Sequence, residues 1–335
     1  MMNINNTLKY KYIVVGYGYD YYNYVYGQLK ELPNATFISE WPVSRVARRL
    51  IWYHLSCNLP FQQVWVYFYV LFLKKIVKGM HFVTTDRICF LLLAGGANNA
   101  LLKYDLCERI KKTFVNSKVV FFINDLVGKT GQPVSLMKEH ADLVYSYDPN
   151  DCIKYDLINH VVPYSVHACL QVGHPVYDVV FVGAAKDRLN DVMSIFYDLT
   201  SKGVKCFFRI IGVPDESQIQ EEGLSYSSRI TYEEYLQLLQ KGNCILDVIQ
   251  GQSSGNTLRV GEAIIMGKKL LTNNKHTPHN GVFDNKNMLY FENINDDIIQ
   301  FVLERSQIDY DIKEKMYPVD LFRDIEKHIS ILLMR

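Results

Sequence analysis

The segment 252–274, QSSGNTLRVGEAIIMGKKLLTNN, concentrates residue types that bind phosphate. Ser254, Gly255, Asn256 and Thr257 are small and polar and precede a helical stretch. A helix N-terminus offers unpaired N–H groups and about half a positive charge, so an anion is stabilised there. Small side chains let a pyrophosphate approach the backbone closely. Arg259 follows near the first turn, where a guanidinium can make a bidentate, charge-assisted contact. Glu262 lies three residues on, along the same face. Its carboxylate is suited to accept hydrogen bonds from both hydroxyls of a ribose. An ordinary helix capping a sheet accounts for the same pattern without a ligand.

A second group lies upstream. The apolar run Val179–Val182 opens into Gly183-Ala184-Ala185-Lys186-Asp187-Arg188. Cations are disfavoured at a helix start, so the bases Lys186 and Arg188 there hint at an anion; solvated surface charges are the alternative. Arg209 sits inside the apolar stretch CFFRIIG, where a charge is costly unless paired. It either lines a site or pairs with a core carboxylate. Asp247 ends another apolar run, as a site residue or as a cap.

These residues need a scaffold, and the pattern along the chain supplies one. A chain of 335 residues fits two domains of roughly 150 residues. Apolar runs at 12–15, 35–38, 88–94, 119–123 and 143–147 alternate with helical stretches. Helices are expected over 43–56, 61–77, 100–113 and 151–157. The pattern is irregular around 164–175 and then restarts with strands at 177–182, 205–211, 244–248 and 269–272. Helices fall between them at 189–201, 232–240, 255–266 and 296–304, and a last one at 321–334. Gly267 is placed as a C-terminal cap and Asn295 as an N-terminal cap. Strands alternating with helices predict parallel, doubly wound sheets.

Bulk properties exclude several classes. Lys plus Arg is 36 and Asp plus Glu is 35, so net charge gives no global pull toward nucleic acid. The seven cysteines are odd in number, contain no CxxC pair and read as reduced core residues. His spacing shows no metal pattern, and the lone DxD triplet, Asp309-Tyr310-Asp311, follows no strand. Gly16-Tyr17-Gly18 lacks the third glycine of a dinucleotide fingerprint, with Tyr21 in its place. Eight tyrosines crowd residues 10–26, where they favour strand edges or stack on a sugar ring.

The stretch GEAIIMGKKLLTNN resembles the donor-binding helix of GT-B glycosyltransferases, which read E-A-x-x-x-G-x-P-V/L-I. Lys269 replaces the usual Pro, and Ser254 stands where many retaining members carry an acid. The resemblance covers roughly 178–304 and is closer to members that assemble polysaccharide and lipopolysaccharide. It implies an α/β chain of two Rossmann-like domains facing across a cleft. The expected division is an acceptor-binding domain over 1–165, a linker over 166–176 and a nucleotide-sugar domain over 177–318. A helix over 319–335 would pack back on the N-terminal domain. It further implies that Gly183, Lys186 or Arg188, and the turn Ser254–Thr257 meet a donor diphosphate. Arg259 joins them, Arg209 lies nearby and Glu262 holds the ribose. The base would be a strand-end carboxylate of the N-terminal domain, Asp20 or Asp125, with Asp125 preferred. The donor expected first is a UDP-sugar, with no separate cofactor and no metal. The acceptor would be a glycan or lipid-linked glycan.

Residues 61–78, FQQVWVYFYVLFLKKIVK, combine Trp, Tyr and Phe with flanking Lys74, Lys75 and Lys78. That composition suits peripheral membrane contact, and it equally suits a buried helix, being apolar all round. Its uninterrupted apolar part is shorter than the roughly 20 residues of a spanning helix. No signal peptide is visible, so a cytoplasmic location is expected, at the inner face of the plasma membrane if residues 61–78 bind lipid. Two other readings stay open: a non-catalytic nucleotide-sugar-binding assembly partner, and a polysaccharide pyruvyl transferase.

Overall fold

The computed structural model describes residues 8–334 except 40, 42, 58, 166–173, 250 and 252. Most of the expected linker therefore lies outside the described residues. The chain divides into two compact units. One comprises residues 1–165 and 317–335, the other Val166–Met316.

The first unit runs β1 (Lys11–Val15), α1 (Tyr22–Val25), β2 (Ala35–Ile38), α2 (Arg45–Ser56), α3 (Val64–Gly79) and β3 (Ile88–Leu93). It continues with α4 (Gly96–Ala100), α5 (Leu106–Thr113), β4 (Lys118–Ile123), α6 (Val127–Thr130), α7 (Val134–His140), β5 (Leu143–Ser146), α8 (Pro149–Tyr155) and β6 (Ile158–Asn159). Its six strands lie in the order β2-β1-β3-β4-β5-β6, every pair parallel. Both faces of β3 are covered, so all six residues of ICFLLL are buried, as a parallel strand between helix layers requires. The helix expected over 100–113 is instead a 3₁₀ turn, Leu102–Tyr104, followed by α5. Asp105 separates them in the left-handed conformation with φ 59°.

The second unit contains β7 (Tyr177–Ala184), α9 (Leu189–Ser201), β8 (Cys206–Ile211), β9 (Leu224–Ser227), α10 (Tyr232–Gln240) and β10 (Gly242–Asp247). After these come α11 (Leu258–Met266), β11 (Lys269–Thr272), β12 (Met288–Tyr290) and α12 (Asp296–Leu303). The sheet order is β12-β11-β10-β7-β8-β9, again wholly parallel. Each unit is thus a Rossmann-like sheet with a reversal of strand order. The reversal falls between β1 and β3 in the first and between β7 and β10 in the second.

The last helix, α13 (Pro318–Leu333), belongs to the first unit. Its Phe322 ring stacks on Tyr12 at 3.8 Å and 6°. The Tyr12 hydroxyl donates to the Phe322 carbonyl at 2.9 Å, and Tyr145 donates to Asp324 at 2.9 Å. Glu326 accepts the backbone N–H groups of Lys9 and Tyr10 at 2.7 and 2.9 Å. One carboxylate thereby satisfies two donors at the start of β1, which no strand partner reaches.

Candidate functional site

Ligands of open α/β sheets sit outside the carboxyl ends of the strands, at the reversal point. In the second unit that point lies between Gly183 on β7 and Asp247 on β10. Arg188 and Arg259 meet there. Both guanidiniums lie 5.5 Å from the Phe181 ring centroid. A Cβ on Gly183 would stand 2.6 Å from Arg259 Nη2 and 3.1 Å from Arg188 Nη2. The absent side chain is what admits both.

Each guanidinium is held by backbone carbonyls. Arg259 Nη2 donates to Val182 O at 2.6 Å, and Arg188 donates to Val248 O and, through Nε, to Ala184 O at 3.2 Å. Burial, and next the Arg259 charge, pulls the Arg188 guanidinium down to about 10. It stays protonated at neutral pH. Asp247 Oδ1 is 3.8 Å from Arg259 Nη1, but this buried carboxylate also accepts the hydroxyls of Thr257 and Thr272, each at 3.0 Å. Asp247 is therefore an anchor for the start of α11, and its charge is shared between the guanidiniums and two threonine hydroxyls. Arg259 Nε and Asn256 Nδ2 are buried donors with no partner. Unpaired buried donors beside like charges are costly, and an anion relieves both.

The turn before α11 is braced. Asn274 donates to Gly255 O at 3.0 Å, and Asn280 donates to Ser254 O at 2.9 Å and to Asn256 Oδ1 at 3.1 Å. Thr257 is the N-cap, its hydroxyl accepting from Arg259 N. The helix therefore begins three residues later than expected, because Gly255–Thr257 form the turn and cap. Gly267 closes it with φ 62°.

Glu262 is fully buried, and its two oxygens accept from the Tyr232 and Tyr235 hydroxyls at 2.6 and 2.5 Å. Burial holds its carboxyl above the usual range, against the pull of the two phenols and of Arg259. These tyrosines on α10 stack on each other at 5.2 Å. Sequence reasoning missed them, although two tyrosines at i and i+3 facing a buried helix are a usable signal. Of the two bases after β7, only Arg188 joins Arg259. Lys186 is exposed, with φ 45°. Arg209 is half-buried on β8, with Nη1 bonded to Tyr226 O at 3.4 Å and Nε buried without a partner, and no carboxylate pairs with it among the described residues.

In the first unit a pocket of about 530 Å³ opens at the reversal point. Tyr17 and Tyr19 after β1, Gly95 and Gly96 after β3, and Asp125 after β4 line it. Helix α2 contributes Trp52 and Leu55. Asn98 fixes the frame: it donates to Val15 O and Leu93 O at 3.0 and 2.8 Å and accepts from Tyr69 at 2.6 Å. The Tyr17 ring fills the place of a Gly95 side chain, with its nearest atom 2.6 Å from an ideal Cβ. Asp125 is exposed to this pocket, while Asp20 is not among its lining residues and caps Tyr21 N at 2.9 Å. Among the described residues no three His, Cys, Asp or Glu side chains gather as a metal site.

No family model matches the chain, and no curated protein sequence matches it. Solved structures do. An α-glucosyltransferase in complex with UDP and a DNA 13-mer containing an HMU base has 13% identity and a TM-score of 0.50, covering 96% of this chain and 94% of that one. An α-glucosyltransferase with UDP and a mismatched 13-mer has 12% identity, a TM-score of 0.47 and the same coverage. A glycosyltransferase from Rickettsia africae has 11% identity and a TM-score of 0.45, covering 96% and 90%. The likeness establishes the fold: two parallel Rossmann-like units of the GT-B type, with the C-terminal helix returned to the first.

Proposed function

We propose that this chain is a glycosyltransferase that moves a sugar from a nucleotide-diphosphate donor to a glycan or lipid-linked glycan in surface-polysaccharide assembly. The observation that carries the reading is the buried pair Arg188 and Arg259 at the reversal point between β7 and β10. Two guanidiniums sharing one glycine face fit a ligand with two adjacent phosphates. The N-terminus of α11 and the Asn256 amide add donors to the same anion. Glu262 is the carboxylate for the ribose hydroxyls, which would have to replace the Tyr232 and Tyr235 phenols that occupy its two oxygens. UDP, the nucleotide in the similar α-glucosyltransferase, is the first to test.

In the transfer, an acceptor hydroxyl oxygen attacks the anomeric carbon as the bond from that carbon to the diphosphate breaks. The diphosphate leaves with the bonding pair, and Arg188 and Arg259 neutralise the charge it gains. For an inverting transfer Asp125 takes the acceptor proton. Tyr17, Tyr19 and Trp52 offer ring faces to the acceptor. No step needs a metal when two guanidiniums stabilise the leaving group.

The test is thermal unfolding with UDP, GDP, CDP, TDP, CMP and NAD, on the wild type and on Arg259→Met. A ligand at a hundredfold excess over Kd stabilises the native state by about 2.7 kcal/mol. One nucleoside diphosphate should stabilise the wild type and not the variant. Silence from every diphosphate, or an equal shift in the variant, overturns the reading.

A further inference from the structure

Helices α2 and α3 form a hairpin with an unusual outer face. Their inner sides enter the core through Ile51, Leu55, Tyr69 and Leu73. The turn between them is closed by polar contacts. Trp65 Nε1 donates to His54 Nδ1 at 2.7 Å, and the other nitrogen of that ring lies 3.0 Å from Pro60 O. With both ring nitrogens and the Trp65 indole engaged, the two helices are held side by side.

The outward stripes should be polar in a surface helix of a soluble domain. On α2 the residues at i, i+4 and i+7 are Val46, Leu50 and Tyr53, exposed by 68%, 63% and 61%. On α3 the same spacing gives Val64, Phe68 and Leu71, with 39%, 50% and 57%. Between the helices Phe61 holds a backbone φ of 64°, which bulky residues seldom adopt, and presents a ring 75% exposed. Scattered apolar residues on a surface need no explanation, but two aligned stripes do.

Charge selects the occupant. The α3 stripe runs on into the exposed Lys74, Lys75 and Lys78, and α2 adds the exposed Arg45 and Arg49. From residue 41 to residue 85 the sequence has six Lys or Arg and no Asp or Glu, in a chain whose net charge is +1. A second copy of this chain would bring these charges against themselves. Aliphatic side chains at the centre of the face are poor partners for a nucleic-acid backbone. A surface with acyl chains beneath anionic headgroups satisfies all three classes at once: aliphatic groups below, Tyr and Phe at the boundary, Lys and Arg above. No helix among the described residues is long and apolar enough to cross a membrane.

We infer that the α2–α3 face docks the protein onto an anionic lipid surface. The hairpin also reaches the pocket of the first unit, because Trp52 and Leu55 of α2 line it beside Asp125. If the proposed glycosyl transfer holds, the acceptor is an amphiphile. Its apolar part stays in the bilayer while its hydroxyl group enters the pocket along α2.

The test is co-sedimentation of the full chain with vesicles of phosphatidylcholine alone and of phosphatidylcholine with phosphatidylglycerol. The wild type should pellet with the anionic vesicles only and be released by salt. Each Lys removed should weaken binding about fivefold, so Lys74→Gln, Lys75→Gln and Lys78→Gln together cost about a hundredfold. Phe68→Ser with Leu71→Ser should release the protein even at low salt. Both variants lie outside the two sites and should keep the wild-type unfolding temperature and UDP shift, which separates this inference from the donor-site reading. Wild type remaining in the supernatant overturns the docking and leaves the UDP result standing. Binding to a short DNA duplex in place of vesicles, lost in the Lys variant, assigns the face to nucleic acid. Self-association without lipid, lost in the Phe68 and Leu71 variant, assigns it to a second copy.

Discussion

Arg188 and Arg259 lie over one aromatic ring, each 5.5 Å from the centre of Phe181. The ring offsets part of their desolvation through its negative face, and the Gly183 backbone leaves room for both. Gly183→Ala tests that arrangement. Its methyl group would meet Arg259 Nη2 at 2.6 Å and Phe181 Cζ at 3.1 Å, so the guanidinium must shift. Overpacking of this kind costs about 1–3 kcal/mol of stability. Nucleoside-diphosphate affinity should fall at least about tenfold beyond that, read by calorimetric titration at a temperature where the variant is folded.

Arg259→Lys should separate charge from shape. Lysine keeps the positive charge but loses the planar fork and the bond to Val182 O. A hydrogen bond to a charged group contributes about 1.5–3 kcal/mol, so affinity should drop by roughly tenfold to a hundredfold. Equal affinity in the lysine variant would mean that Arg259 acts as a point charge only.

Asp125→Asn is expected to leave nucleotide binding unchanged and to slow transfer by about a hundredfold to ten-thousandfold, the span of general-base contributions. Asp20→Asn should have little effect, since that carboxylate is engaged with Tyr21 N away from the pocket lining. Single-turnover rates at saturating donor separate the two.

Glu262 predicts a pH signature. Its folded-state pKa is raised by burial, so the folded protein binds the proton more tightly than the unfolded chain. Stability therefore falls as pH rises through the folded pKa and is regained on acidification, the reverse of a salt-bridged carboxylate. Tyr232→Phe with Tyr235→Phe removes both donors to the carboxylate and should raise that pKa further. The variant should lose about 1.5–3 kcal/mol per phenol at neutral pH and a smaller amount in mild acid. Urea unfolding across this range checks the sign. A deficit independent of pH would show that Glu262 is uncharged in the wild type.

Glu326→Ala should destabilise the first unit by about 1–3 kcal/mol in all, since the part-buried amides Lys9 N and Tyr10 N lose their charged acceptor and water replaces part of it. Hydrogen exchange at those two amides should accelerate, while amides of the second unit stay protected.

The fold was legible where one residue type forces one geometry. Gly267 ends α11 in the left-handed conformation, Asn295 caps α12 through Ile298 N, and the wholly apolar run at β3 is buried throughout. Of the four edge strands only β2 was legible. The expected pattern lacked β6, β9 and β12, which are short and mostly half-buried, so their side chains carry little apolar signal. Of the site, Arg259 and the Ser254–Thr257 turn were visible as a local motif at a helix start. The pairing of Arg188 with Arg259 was not, because it joins positions 71 residues apart in sequence through Gly183. Nor was the double clasp on Glu262, since spacing along one helix says nothing about the helix packed against it. The α3 segment read as apolar all round; the exposed stripe emerged only once the core had claimed the other side.

The return of α13 to the first unit sets an order of assembly at the ribosome. Residues 166–316 leave the exit tunnel before 317–335 do. The second unit has every strand and helix it needs while the first still lacks the helix that covers Tyr12 and Tyr145. The unit translated first is thus completed last. Until Phe322 arrives, Tyr12 and Tyr145 lack the helix that packs on them, and exposed aromatic surface of that kind is what a chaperone would hold on the nascent chain.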